Sequence, residues 1–215
     1  MKILRIKDIV IKTHPVVYEP AEDSELLMDN LVEVKNKVVL DVGTGTGIQG
    51  IYASKRGSRI TVGVDINPYA IELSKENALL NNLKLNKNIF FFQSDLFNNM
   101  DIITKNLGIN KFDVILFNAP YLPTSEEEKI QGYLNYAFDG GKDGRKVLDR
   151  FISEVGDYLK EDGTIQIVQS SLTGEEETLS KLKKYGFYSK KTAYIKYPYE
   201  ELQIITAKRD CNDEP

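Results

Sequence analysis

The chain has 215 residues, 41% of them hydrophobic and 28% charged, and a formal net charge of −4 at neutral pH. That size suits one hydrophobic core in an ordinary soluble globular protein, and the acidic balance argues against gripping nucleic acid mainly by neutralising phosphates. The single cysteine, Cys211, excludes an internal disulfide and a cysteine metal site; no apolar run could cross a bilayer, and Met1-Lys2-Ile3-Leu4-Arg5-Ile6-Lys7 lacks a signal-peptide core, so a cytoplasmic protein without a metal is expected.

Residues 1–20 read as extended, and Ala21 to Val34 show helical spacing through Leu26, Leu27, Leu31 and Val34. Glu22, Asp23 and Glu25 fall in the first turn of that helix, where its dipole favours acids. The same segment could instead lie over the loop that follows and help enclose a ligand. His14 stands before Pro15 with no visible acid or base partner and is taken as structural. The chain divides as an N-terminal cover over residues 1–36, a core over 37–208 and a polar tail over 209–215.

Val38 to Val42 read as a buried parallel strand that runs into Gly43-Thr44-Gly45-Thr46-Gly47, after which a helix extends to about Arg56. Glycines at alternate positions let backbone amides approach a ligand, and the helix N-terminus favours an anionic group. Two ligands compete. Gly45-Thr46-Gly47-Ile48-Gln49-Gly50 satisfies a dinucleotide pattern, with Asp65 placed where a ribose-binding acid belongs. Asp41, inside the strand, would repel a diphosphate but suits S-adenosylmethionine, which carries an ammonium, a sulfonium and no phosphate. The methyl donor is therefore the favoured ligand.

A strand over Ile60 to Asp65 precedes a helix opened by Pro68 and running to about Asn82; strands over Ile89 to Asp95 and Phe112 to Phe117 follow. Alternating strands and helices imply parallel crossovers and a sheet covered on both faces, with ligands at the carboxyl ends of the strands. Asp41, Asp65, Asp95 and Asn118 each lie in or just after one of four consecutive strands. Any one could be a helix cap, but four in register beside a glycine loop predict a cleft. Asp65 is expected to accept two hydrogen bonds from a ribose diol, and Asp95 one from an adenine amino group with Leu96 packed on the ring.

Asn118-Ala119-Pro120-Tyr121 opens a long stretch that reaches Asp139-Gly140-Gly141-Lys142-Asp143-Gly144, and a loop of that length in a compact domain is usually functional. A helix over Arg145 to Leu159, a strand over Thr164 to Gln169, a helix through Leu179 and Leu182 ending near Gly186, and strands over Tyr188 to Tyr194 and Glu201 to Ala207 complete the chain. The lysines at 181, 183, 184, 190, 191 and 196 read as a solvated face.

With the glycine loop, Asp65 and Asn118-Ala119-Pro120-Tyr121 in order, the chain resembles the class I S-adenosylmethionine-dependent methyltransferases that act on planar nitrogens. It is most similar to the HemK-type enzymes that methylate a glutamine side-chain amide in translation release factors, in their short archaeal and eukaryotic branch. Tyr18-Glu19-Pro20-Ala21-Glu22-Asp23-Ser24 and Gly140-Gly141-Lys142-Asp143-Gly144-Arg145 carry that closer likeness. The resemblance implies an α/β, single-domain Rossmann-like fold: a mostly parallel seven-stranded sheet, helices on both faces and one antiparallel strand near the C-terminus. It places the cofactor on Tyr18, Glu22, Ser24, Asp41, Gly43, Gly45, Gly47, Asp65, Asp95, Leu96 and Asn118, and the acceptor on Asn118, Ala119, Pro120 and Tyr121. The family signature has proline where this chain has Ala119. A role through the backbone carbonyl survives that change, and Pro120 still biases residue 119 toward extended geometry.

The same resemblance implies a protein substrate and a small zinc-binding activator at the edge of the third main strand, where Ile89-Phe90-Phe91-Phe92 would otherwise be exposed. Phenylalanines that merely fill the two sheet faces are an equal reading of that run. Methylation of an exocyclic amine of adenine or guanine, methylation of a protein lysine, and a non-catalytic cofactor-binding adaptor remain alternatives. Compact length and acidic charge weigh against the nucleic-acid reading, and the intact Asn118, Pro120 and Tyr121 against the adaptor.

Overall fold

The computed structural model describes residues 1–123 and 132–210. Strands β1 (Ile3–Ile6) and β2 (Ile9–Lys12) form an antiparallel hairpin ahead of helix α1 (Glu22–Asp29). The main sheet comprises β3 (Val38–Val42), β4 (Ile60–Asp65), β5 (Ile89–Gln93), β6 (Phe112–Asn118), β7 (Leu159–Ser170), β8 (Phe187–Lys196) and β9 (Glu201–Arg209). Helices α2 (Ile48–Lys55), α3 (Pro68–Leu80), α4 (Met100–Leu107), α5 (Lys146–Tyr158) and α6 (Glu175–Lys184) connect them. No helix among the described residues is long and apolar enough to cross a membrane.

The order in the seven-stranded sheet is β5-β4-β3-β6-β7-β9-β8. All pairs are parallel except those of β9, which runs against both neighbours, so the sheet has the expected single antiparallel strand. The chain moves from β3 outward through β4 to β5, then returns to place β6 and β7 on the other side. Its winding therefore reverses between β3 and β6, and in open α/β sheets ligands bind beyond the carboxyl ends of the strands at such a point.

Both faces of the sheet are covered. On β6, Ile115 and Phe117 join Leu148, Phe151 and Ile152 of α5 in one cluster, while Val114 and Leu116 join Leu26 and Leu27 of α1 in another. This two-sided burial is why β6 reads as an unbroken apolar run. Removing one such ring, as in Phe117→Ala, would cost about 3–5 kcal/mol.

Several elements differ from expectation. Helix α1 stops at Asp29, because the Asn30 side chain turns back to the Leu26 carbonyl and the Val32 amide donates to Gln166 Oε1 of β7 at 3.0 Å. The extended N-terminus is the β1–β2 hairpin, and α4 was not anticipated at all. Arg209, assigned to the tail, ends β9 and donates to the Gly156 and Leu159 carbonyls. Cys211 lies outside the described residues. Strand β5 sits at one edge of the sheet, with Phe91 buried on one face and the half-buried rings of Phe90 and Phe92 stacked on the other, 6.4 Å between centroids.

Candidate active site

Beyond the carboxyl ends of β3, β4, β5 and β6 lies a cavity of about 360 Å³. Asp41, Gly43, Gly45, Asp65, Asp95, Leu96 and Asn118 line it, together with Ala119, Pro120 and Tyr121 and, from the N-terminal segment, Tyr18 and Ser24. Two of the expected residues stand apart. Glu22 is exposed at the start of α1, and one step round the helix brings Asp23, not Glu22, to the cavity. Gly47 faces α3, where an added Cβ would lie 2.8 Å from Ser74 Cβ; its φ of 83° caps α2.

The glycine loop is held by the acids at the strand ends. Asp41 Oδ2 accepts the Thr44 hydroxyl at 2.6 Å and the Gly50 amide at 3.0 Å. Burial nevertheless pushes this carboxyl up to about 7, with the neighbouring Asp65 adding to the rise. Asp65 accepts the Gly45 amide on Oδ2 at 2.9 Å and the Asn67 amide on Oδ1 at 2.8 Å, and burial raises its pKa as well. The loop amides expected to approach a ligand are largely spent inside the protein: Gly45 on Asp65, Thr44 on the Val64 carbonyl and Gly47 on the Thr44 carbonyl. The loop lies so close to β4 that a Cβ at Gly63 would sit 2.8 Å from Thr44 Oγ1 and 2.6 Å from the Phe91 ring.

At the end of β5, Asp95 is half-buried and both its oxygens take Arg150 Nη1 of α5, at 3.2 and 3.1 Å. The next residue, Leu96, is buried with φ of 48°, a left-handed conformation disfavoured for a branched side chain. Such strain often marks a ligand clamp.

The acceptor side is organised by Asp23, which is 3% exposed. Its Oδ2 accepts Tyr18 Oη at 2.9 Å, Asn118 Nδ2 at 3.0 Å and Tyr121 Oη at 3.3 Å, while Oδ1 accepts the Ser24 amide and hydroxyl. Burial, with the Asp23 charge beside them, lifts both phenols far above the ordinary tyrosine range and keeps them as donors. Because a carboxylate can only accept, it fixes which end of the Asn118 amide faces it. Asn118 Oδ1 is left buried beside the cavity, without a partner among the described residues. The backbone that follows is clamped: Ala119 donates to the Val168 carbonyl, and a Cβ at Gly144, whose φ is 73°, would meet the Tyr121 carbonyl at 2.5 Å. Glycine is thus required where the 140–144 turn crosses this segment.

Asp23, Gln49 and Arg150 also line the cavity but were not singled out as site residues. Asp23 could have been found, since it sits in the segment expected to cover the loop; Gln49 and Arg150 carry no sequence signal. His14 stacks on Tyr69 at 5.6 Å between centroids, and Tyr69 meets Tyr133 edge-on at 5.9 Å, joining the N-terminal segment, α3 and residues after β6.

The donor set suits a cationic nucleoside. Thr46 Oγ1, Gln49 Oε1 and Asn118 Oδ1 are buried beside the cavity without partners among the described residues, and the raised carboxyls of Asp41 and Asp65 line it too. Fold and site together define a class I S-adenosylmethionine-dependent methyltransferase.

The chain belongs to the methyltransferase small domain family, which it matches over residues 8–196. It is 59% identical over 207 residues, 96% of this chain and 99% of the other, to a Methanocaldococcus jannaschii protein named as a candidate protein N5-glutamine methyltransferase. It is 32% identical to human methyltransferase HEMK2 over 79% of each chain. Among solved structures it resembles an E. cuniculi Mtq2–Trm112 complex responsible for methylating the termination factor eRF1, with a TM-score of 0.66 and 27% identity over 90% of this chain and 99% of that one.

Proposed function

We propose that this enzyme methylates the side-chain amide nitrogen of a glutamine in a translation release factor. The observation that carries the reading is Asn118: one end of its amide is held by Asp23, and its buried Oδ1 is left as an acceptor at the cavity. The relatives support it, since those named for their substrate are glutamine or release-factor methyltransferases.

Bound S-adenosylmethionine supplies an activated methyl group; the protein has to present a nitrogen to it. An amide nitrogen is a weak nucleophile because its lone pair is shared with the carbonyl. In the proposed arrangement Asn118 Oδ1 and the Ala119 carbonyl each accept one N–H of the substrate amide, while Pro120 and Tyr121 shape the wall. Orientation of this kind supplies up to about 7–11 kcal/mol in well-aligned systems. The two acceptors would also stabilise positive charge developing on nitrogen, and the surplus proton of the methylated nitrogen would pass to water.

On the cofactor side, Asp65 faces the ribose, Asp95 and Leu96 the adenine, and Asp41, Gly43, Gly45, Tyr18 and Ser24 the rest. Residues 1–36 serve as cover over residues 37–208, which carry the chemistry. The open edge of β5 fits a small protein partner of the kind seen with Mtq2. Incubation with methyl-labelled donor, a release factor and its Gln-substituted form tests the reading: label should enter only the unsubstituted factor, and equal labelling of both would refute it.

A further inference from the structure

Gln49, the second residue of α2, is 4% exposed and lines the cavity. One end of its amide faces the Ser24 carbonyl at 2.9 Å. A carbonyl only accepts, so that end is the Nε2 donor and the other is an oxygen. That oxygen, Oε1, is buried with no partner among the described residues. A buried acceptor in a ligand cavity calls for an N–H donor from the ligand.

S-adenosylmethionine carries N–H donors at two places, the adenine amino group and the α-ammonium. The sheet order decides between them. Asp95 lies two residues past the edge strand β5, Asp65 ends β4, and the glycine loop follows β3. A nucleoside read by Asp95 and Asp65 extends its amino-acid portion toward β3 and β6. Gln49 lies at that end, bonded to Ser24, and Ser24 in turn donates to Asp23, which holds Asn118.

We infer that Gln49 binds the α-ammonium of the cofactor through Oε1 while its amide N–H fastens the start of α1, tying occupancy of the donor site to the Asp23–Asn118 pair. This rests on the reading of the cavity as the S-adenosylmethionine site. Asp41 lines the same cavity and adds counter-charge, with Oδ2 held by Thr44 and Gly50.

The test is calorimetry on the full chain with two ligands, S-adenosylhomocysteine and its analogue in which hydrogen replaces the α-amino group. Wild type should bind the amino form about 10- to 100-fold more tightly, the range for one hydrogen bond to a charged group. Gln49→Met should shrink that ratio about tenfold by weakening the amino form alone. Gln49→Glu retains an acceptor and should keep or widen the ratio, and it serves if the methionine variant does not fold. Equal weakening of both ligands in Gln49→Met, or a ratio unchanged from wild type, overturns the inference. Failure of wild type to bind S-adenosylhomocysteine would instead overturn the cavity assignment.

Discussion

Asn118 Nδ2 donates to Asp23 Oδ2 at 3.0 Å across 95 residues of sequence. That bond decides the chemical identity of the atom Asn118 offers to the cavity. With the carboxylate taking the amide NH₂, the oxygen is what remains, and only an oxygen can accept an N–H from a substrate amide.

Asp23→Asn should therefore damage catalysis more than binding. The new amide can still accept from Ser24 through Oδ1, but its Nδ2 meets three donors, and Asn118 is driven to turn its oxygen inward and its NH₂ toward the cavity. We expect kcat to fall about 100-fold, the effect of losing one preorganised dipole, with little change in cofactor affinity. Single-turnover transfer beside calorimetry checks this. Unchanged turnover would remove Asp23 from the account.

Asp41 gives the site a pH signature. Burial raises this acid to about 7 in the folded protein from an ordinary 3.8, so folding takes up a proton between those values. Stability of the cofactor-free protein should fall as pH rises through that window and level off above it, since the charged form is the one penalised. A gap of that size corresponds to about 4 kcal/mol. Asp41→Asn should raise the melting temperature at pH 8 by several degrees and weaken S-adenosylmethionine binding, because a cationic ligand loses its counter-charge. Wild type should release protons on binding cofactor below pH 7, readable by calorimetry in buffers of different ionisation enthalpy. A melting temperature that climbs between pH 5 and 7 would contradict the sign.

The β5 edge should behave as a partner surface. Phe90→Glu puts a charge where a stacked, half-buried ring now sits. It should abolish association with a small zinc-binding partner on size-exclusion chromatography while the protein stays folded by circular dichroism. Undiminished complex formation would place the partner elsewhere.

Much of this was readable from the chain because parallel α/β architecture converts strand-end positions into one place. Asp41, Asp65, Asp95 and Asn118 converge for that reason alone. Long-range partners were not readable. Whether Glu22 or Asp23 faces inward depends on where α1 begins, a one-residue question that turns the side chain by a full helical step. Arg150 reaches Asp95 from 55 residues away, and Gln49 gains meaning only from the Ser24 carbonyl. Helix α4 was missed although Met100, Ile103 and Thr104 share one buried face at helical spacing, because eight residues give that pattern little more than two turns. The end of α1 at Asp29 reflects capture of the Val32 amide by β7, an interaction across 134 residues that no local pattern encodes.

The most direct measurement is the single-turnover rate of methyl transfer to a release factor by Asn118→Ala saturated with S-adenosylmethionine. The account predicts a fall of at least about 100-fold with calorimetric cofactor affinity close to wild type. A rate near wild type at the same occupancy would contradict it.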